Sequence, residues 1–188
     1  MVYPTETVYG LGADARSAEA VERLLDAKGR DAAKGLSVLV AGADAAEGLC
    51  AQPLSDSTRA LLERFWPGPL TVVLPAAAGV AAPLVGDTGG IGLRCSSDSC
   101  AAALLDAFGG PITATSANRS GEPAASDVAT ARASFGPVVD AYVDDGPRRS
   151  SSASTVVELS SGRFYLRRAG AIAASAIAQT VDLPDLED

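Results

Sequence analysis

An α/β layered domain, with a mixed β-sheet and flanking helices, is predicted by this sequence on three observations. Apolar runs of strand length alternate with segments whose apolar residues recur at helical spacing. Glycine and proline mark many of the junctions between them. A chain of 188 residues with 47% hydrophobic content can bury a core of domain size, so one domain spanning 1–188 is expected.

The elements follow in chain order. The segment PTETVYGLG, from Pro4 to Gly12, reads as a site: Thr5, Thr7 and Tyr9 offer hydroxyls and Glu6 a carboxylate, while Gly10 and Gly12 permit positive φ or close approach to a ligand. Residues 17–27 place Val21, Leu24 and Leu25 at helical spacing, with Gly29 as the stop. A short strand is expected over 36–40 and a helix over 57–65, ended by Pro67-Gly68-Pro69. Residues 70–74 read as a buried strand and 91–94 and 112–115 as further strands, separated by a helix over about 98–108. A helix over 127–135, strands over 138–143, 155–159 and 164–167, and an Ala-rich helix over about 171–179 complete the chain. The tract 148–154 is short enough to be a mobile loop, and Phe65 and Trp66 are expected in the core.

Composition excludes several functions. Histidine is absent, which removes Ser-His-Asp and Cys-His systems, histidine bases and the usual zinc ligands. Chemistry has to run on lysine, arginine, carboxylates, hydroxyls and backbone, a set suited to positioning anionic groups and stabilising developing charge. A net charge of -8 argues against broad coating of nucleic acid, though a local basic cleft is compatible with it. The odd number of cysteines (Cys50, Cys95, Cys100), with no CxxC pair, suggests neither a disulfide framework nor a zinc site and fits a reducing cytoplasm. No signal-peptide pattern opens the chain and no apolar run is long enough to span a bilayer, so no membrane partner is expected.

There is no GxxxxGK[ST], and Gly89-Gly90-Ile91-Gly92 lacks the GxGxxG spacing, so a P-loop or Rossmann site is not expected. The stretch TATSANRSG, from 113 to 121, differs: an apolar strand runs into Ser116, Asn118 and Ser120 and then a glycine. Polar side chains at a strand's end are where open α/β sheets bind ligands.

Taken together, PTETVYGLG, the Lys28-Gly29-Arg30 triplet, FWPGPLTVVL over 65–74, GLR over 92–94, TSANRSG and STVVEL over 154–159 resemble the YrdC-like family, in family order and over nearly the whole chain. The resemblance implies a twisted mixed sheet around a large, locally positive cleft. It also implies the activity of threonylcarbamoyl-AMP synthases: L-threonine, bicarbonate and ATP giving threonylcarbamoyl-AMP and pyrophosphate for N6-threonylcarbamoyladenosine in tRNA. The implied partners are these substrates, with tRNA and the downstream threonylcarbamoyl-transfer proteins. Magnesium is implied as a bridge between phosphate oxygens, with no protein metal ligand.

The roles come from the same resemblance. Lys28, Arg30, Ser116 and Asn118 match the Lys-x-Arg and Ser-x-Asn signature and are implied as the catalytic and triphosphate-binding set. Arg168 matches a nucleotide-contacting arginine, and Lys34 another nucleotide-side position. Thr7, Arg94 and Ser154, with the backbone at Ala114, are implied for threonine, Arg94 taking the carboxylate through a bidentate fork. Arg167 and Arg168 are neighbours on an expected strand, so only one can face the cleft.

The chain departs from the family pattern at three places. Leu39 stands where longer members have a histidine, and Cys95 and Ser96 follow Arg94 where a proline is usual. Members also carry a helix and half a strand before the first motif, so the resemblance leads one to expect upstream residues, lost through a late start or a truncation. In length the chain resembles the short, single-domain form. Two other readings are compatible with the motifs: a YrdC-like RNA-binding paralogue without synthase activity, and the carbamoyl-adenylate module of hydrogenase-maturation proteins, whose accompanying segments are absent here.

Overall fold

The computed structural model describes residues 1–148, 152–160 and 163–181. In chain order the strands are β1 (Val2–Tyr3), β2 (Gly10–Leu11), β3 (Val38–Leu39), β4 (Leu70–Pro75), β5 (Gly90–Arg94), β6 (Ile112–Thr113), β7 (Thr115–Ser116), β8 (Thr155–Ser160) and β9 (Arg163–Arg168). The helices are α1 (Ala18–Lys28), α2 (Ala43–Glu47), α3 (Asp56–Phe65), α4 (Ala82–Val85), α5 (Ser99–Phe108), α6 (Val128–Phe135) and α7 (Ala174–Val181), with 3-10 turns at Ala32–Lys34, Gly86–Thr88 and Gly136–Val138.

Helix boundaries follow capping chemistry. The side chains of Ser17, Ser55, Asp98 and Asp127 each accept a backbone N–H at the start of α1, α3, α5 and α6. Gly29 and Gly109, both left-handed, close α1 and α5.

The strands form two sheets. The larger has the order β6-β3-β5-β4-β8-β9 and mixes parallel and antiparallel neighbours; the smaller runs β1-β2-β7. In β4, β5 and β8 the core face carries Leu70, Val72, Leu74, Ile91, Leu93 and Val157, all buried. That face packs with Leu61 and Leu62 of α3 and Ile177 of α7 in one apolar cluster. The opposite face carries Thr71, Val73, Gly92, Arg94, Val156 and Glu158, because strand side chains alternate.

The register of the sheet assembles the cleft floor. Leu39 pairs with Arg94, Arg94 with Thr71, Thr71 with Val156, and Val156 with Arg168. Residues up to 129 positions apart along the chain, Leu39 and Arg168, thereby lie within one row across five strands, spanning roughly 19 Å at ~4.8 Å per strand.

Four expectations are corrected. The 138–143 segment is not a strand: Gly136 (φ 50) and Pro137 turn the chain into a 3-10 helix, and the remainder reaches β1 only through a Val2–Tyr142 bridge. The 112–115 strand is two strands in different sheets, broken at Ala114. Gly10 and Gly12 do not take positive φ; a Cβ on them would lie 2.7 and 2.8 Å from the ring of the buried Tyr3, so both make room for that ring, and Gly10 also lines the cavity described below. The last helix begins at Ala174 instead of about 171. Within the 148–154 tract, residues 149–151 lie outside the described residues, and Arg148 is held by ion pairs to Asp98 and Asp145. Trp66 and Phe65 pack against the core as expected, and the Trp66 indole donates to the Leu70 carbonyl at 2.9 Å.

Candidate functional site

The PTETVYGLG segment is a tight polar bend leading into β2. Thr5 organises it: its Oγ1 donates to the Val8 carbonyl at 2.6 Å, lies 3.0 Å from Thr7 Oγ1 and accepts the N–H groups of Thr7 and Val8. Tyr9 anchors the bend from the other side. Its hydroxyl donates to the Gly146 carbonyl at 2.7 Å, and Arg148 stacks 5.4 Å from the ring centroid.

A cavity of about 180 Å³ opens beside this bend, lined by Thr7, Arg30, Leu39, Arg94, Ser116, Ser154 and Arg168 among others. A second hollow of about 340 Å³ adjoins it and shares Arg30, Leu36, Ser37, Val156 and Arg168; Lys34 and Arg167 lie along this second part. A larger hollow of about 650 Å³ beside Met1 is mainly apolar and carries none of the residues that the resemblance assigns. We place the site in the smaller, polar pair because charged groups converge there.

The expected threonine-side residues meet. Arg94, at the end of β5 and 7% exposed, donates from Nη2 to Thr7 Oγ1 at 2.9 Å and to Glu6 Oε1 at 2.7 Å. Ser154 Oγ lies 3.0 Å from Thr71 Oγ1 and accepts from Arg168 Nη2 at 2.9 Å. The Ala114 N–H donates to the Ser37 carbonyl at 2.7 Å, placing the break between β6 and β7 on the cavity wall.

On the other side, Arg30 donates from Nη2 to the Gly35 carbonyl at 3.0 Å, and Lys34 is exposed. Arg168 Nε and Nη2 both reach the Ser154 carbonyl, whereas Arg167 turns away to pair with Glu158 at 2.7 Å. The expected division between these two neighbours is therefore present. Burial lowers the proton affinity of Arg168, and the nearby Arg94 and Arg30 lower it further. Burial does the same to Arg30.

Lys28 and Asn118 occupy a different layer from the lining residues. Lys28 is buried, and its Nζ donates to the Ser116 and Asn118 carbonyls at 2.5 and 2.7 Å, beneath the Ser-x-Asn turn. Burial, followed by repulsion from Arg30, brings its pKa down from 10.5 to about 8. The Asn118 amide nitrogen donates to the Arg119 and Glu122 carbonyls and so shapes the same turn. Among the described residues, three buried side-chain polar atoms find no protein partner: Arg30 Nε, Arg94 Nε and Asn118 Oδ1. All three belong to residues implied by the motifs.

Two contributors escaped the sequence reading. Glu6 was noted only as a carboxylate in a polar turn, although it is the one acid in that segment and a basic partner was implied nearby. Thr71 had no signal beyond a hydroxyl residue within an otherwise apolar strand. Among the described residues no three His, Cys, Asp or Glu side chains converge as a metal cage. No helix among them is long and apolar enough to cross a membrane.

Comparison with known proteins shows the family. The Sua5_yciO_yrdC family model, described as telomere recombination, matches residues 1–170. A Mycobacterium leprae protein is 40% identical over 181 residues, covering 96% of this chain and 81% of the relative. The threonylcarbamoyl-AMP synthase of Thiobacillus denitrificans is 40% identical over 171 residues, 87% of this chain and 86% of that protein. Pyrococcus abyssi Sua5, solved in complex with L-threonine, superposes with a TM-score of 0.92 at 33% identity over 99% of this chain. The chain spans about half of that structure, 54% of its length. Family model, relatives and superposition agree, and the chain belongs to the Sua5/YciO/YrdC family.

Proposed function

We propose that this chain is an L-threonylcarbamoyladenylate synthase, a nucleotidyltransferase that makes threonylcarbamoyl-AMP and pyrophosphate from L-threonine, bicarbonate and ATP. The observation that carries this reading is the partnerless buried Nε on each of Arg30 and Arg94, two arginines that line the cavity. Leaving buried donors unpaired is costly, and the oxygens of an anionic ligand would pair them.

Threonine's amine condenses with bicarbonate, releasing water, and the carbamate oxygen attacks the α-phosphorus of ATP with pyrophosphate departing. No enzymic nucleophile is needed, so a chain without histidine loses nothing. Its task is to align two anions and stabilise the phosphate charge. Thr7, Arg94, Ala114 and Ser154 hold threonine; Arg30, Lys34, Arg168 and Ser116 hold the nucleotide; Lys28 and Asn118 fix the turn that presents Ser116. Magnesium would accompany the ATP phosphates and help neutralise their charge. The product serves N6-threonylcarbamoyladenosine formation in tRNA, through the downstream transfer proteins, in a cytoplasm that keeps the three thiols reduced.

The test is direct. Purified protein with ATP, magnesium, bicarbonate and labelled threonine should release pyrophosphate and accumulate threonylcarbamoyl-AMP. ATP turnover that depends on neither threonine nor bicarbonate would refute the reading.

A further inference from the structure

The cleft cations are compensated unequally. Arg94 pairs with Glu6 at 2.7 Å and Arg167 with Glu158 at 2.7 Å, whereas Arg30 and Arg168, which border both hollows, bond carbonyl and hydroxyl oxygens and meet no carboxylate among the described residues. The Glu6 carboxylate is fixed at both oxygens, because Oε2 accepts the hydroxyl of the buried Ser96. Ser96 is itself held in place, its Oγ accepting the Asp98 N–H at 3.2 Å at the start of α5. Glu6 is thus a stationary negative charge behind Arg94, while the cavity is lined by Arg94 itself.

The two halves of the cleft adjoin along a shared border. Arg30, Leu36, Ser37, Val156 and Arg168 border both hollows, and Arg94 is close enough to Arg168 to depress its proton affinity. A polyphosphate in the outer hollow could therefore slide toward Arg94 unless charge prevents it. Threonine enters as a zwitterion of no net charge and tolerates an Arg–Glu pair, and its carbamate still carries less charge than a polyphosphate, which the fixed carboxylate repels more strongly.

We propose that Glu6 is a specificity-determining residue of this cleft: by balancing Arg94 it reserves that end for the zwitterionic amino acid and confines polyphosphate to the Arg30–Arg168 end. The inference rests on the threonine and ATP reading above. Glu6 acts on the ligand through Arg94 and through its field, without touching the reacting atoms.

The experiment is calorimetric titration of L-threonine, with and without saturating inorganic pyrophosphate, into the unaltered chain, Glu6→Gln and Ser96→Ala. In the unaltered chain pyrophosphate should leave the threonine Kd within about two-fold, and in Glu6→Gln it should raise that Kd at least about five-fold, a coupling of roughly 1 kcal/mol. Ser96→Ala keeps the charge and should behave as the unaltered chain. Equal pyrophosphate effects in the unaltered chain and Glu6→Gln overturn the proposal, as does Ser96→Ala matching Glu6→Gln. An unaltered chain that binds no threonine refutes the synthase reading and this inference with it. A chain that binds threonine but shows no difference between the proteins refutes this inference alone.

Discussion

The Lys28 ammonium lies 2.5 Å from the Ser116 carbonyl oxygen and joins the end of α1 to a turn 88 residues later in the chain. A lysine expected to face phosphate is in this structure the pin of the turn that presents Ser116. Lys28→Met should strand two carbonyls and destabilise the fold by about 1–3 kcal/mol, measured as a lower midpoint in urea unfolding. A variant as stable as the parent would show that the pin is dispensable.

The same lysine sets a pH dependence. Its folded pKa, about 8, lies below its ordinary 10.5, so between these values the unfolded chain binds the extra proton. Stability contributed by this group should therefore rise with pH across that window, and the penalty should be fully present below pH 8. The neutral amine keeps two N–H groups for its two carbonyls. The three thiols, whose pKa values burial raises, act in the opposite sense in both proteins, so the check is the difference in urea midpoint between the parent and Lys28→Met, which should shift in the parent's favour as pH rises through the window.

Arg94 and Arg30 should separate on mutation. Arg94→Ala is expected to weaken threonine binding by roughly ten-fold or more while ATP affinity changes little, since a charged hydrogen bond is worth about 1.5–3 kcal/mol. Arg30→Ala should chiefly impair the ATP-dependent step. Titrating each ligand separately checks the division, and equal loss of both affinities in both variants would sink it.

Gly170 is a further sensitive point. A Cβ there would sit 2.5 Å from the Ala153 carbonyl oxygen, the Ser154 carbonyl carbon and the Thr155 nitrogen. Gly170→Ala should displace the Ser154 backbone that Arg168 holds, costing about 1–3 kcal/mol of stability and weakening both ligands. Thermal unfolding and ligand titration of this one variant test both effects.

Elements with strong local signals were legible in the sequence: α1 with its serine cap and glycine stop, the buried β4, and α5 between Asp98 and Gly109. The two-residue strands β1, β2 and β7 were not, because they are defined by partners distant in the chain, such as Gly10 opposite Ser116. The short α2, with no side-chain cap, offered no start signal. At the site, the arginines and Ser116 and Ser154 that face the cavity are marked by motifs, whereas Thr71 beside them is not, and the motifs mark Lys28 and Asn118 without revealing that they lie behind the lining. Motifs mark which side chains matter; only geometry shows that Lys28 serves carbonyls and that Glu6 and Ser96 brace Arg94.

The single residue between β6 and β7 makes Ala114 a seam between two sheets, and the cavity crosses that seam. A ligand seated there touches both sheets at once and acts as a rivet between bodies that share only a few backbone bonds at this edge. Occupancy should consequently slow amide hydrogen exchange at Gly10, Leu11 and Thr115, in a sheet whose strands are each two residues long. Val2, Tyr3 and Leu11 already tie this small sheet to the core, so the substrate adds a second fastening on the side where the two sheets part.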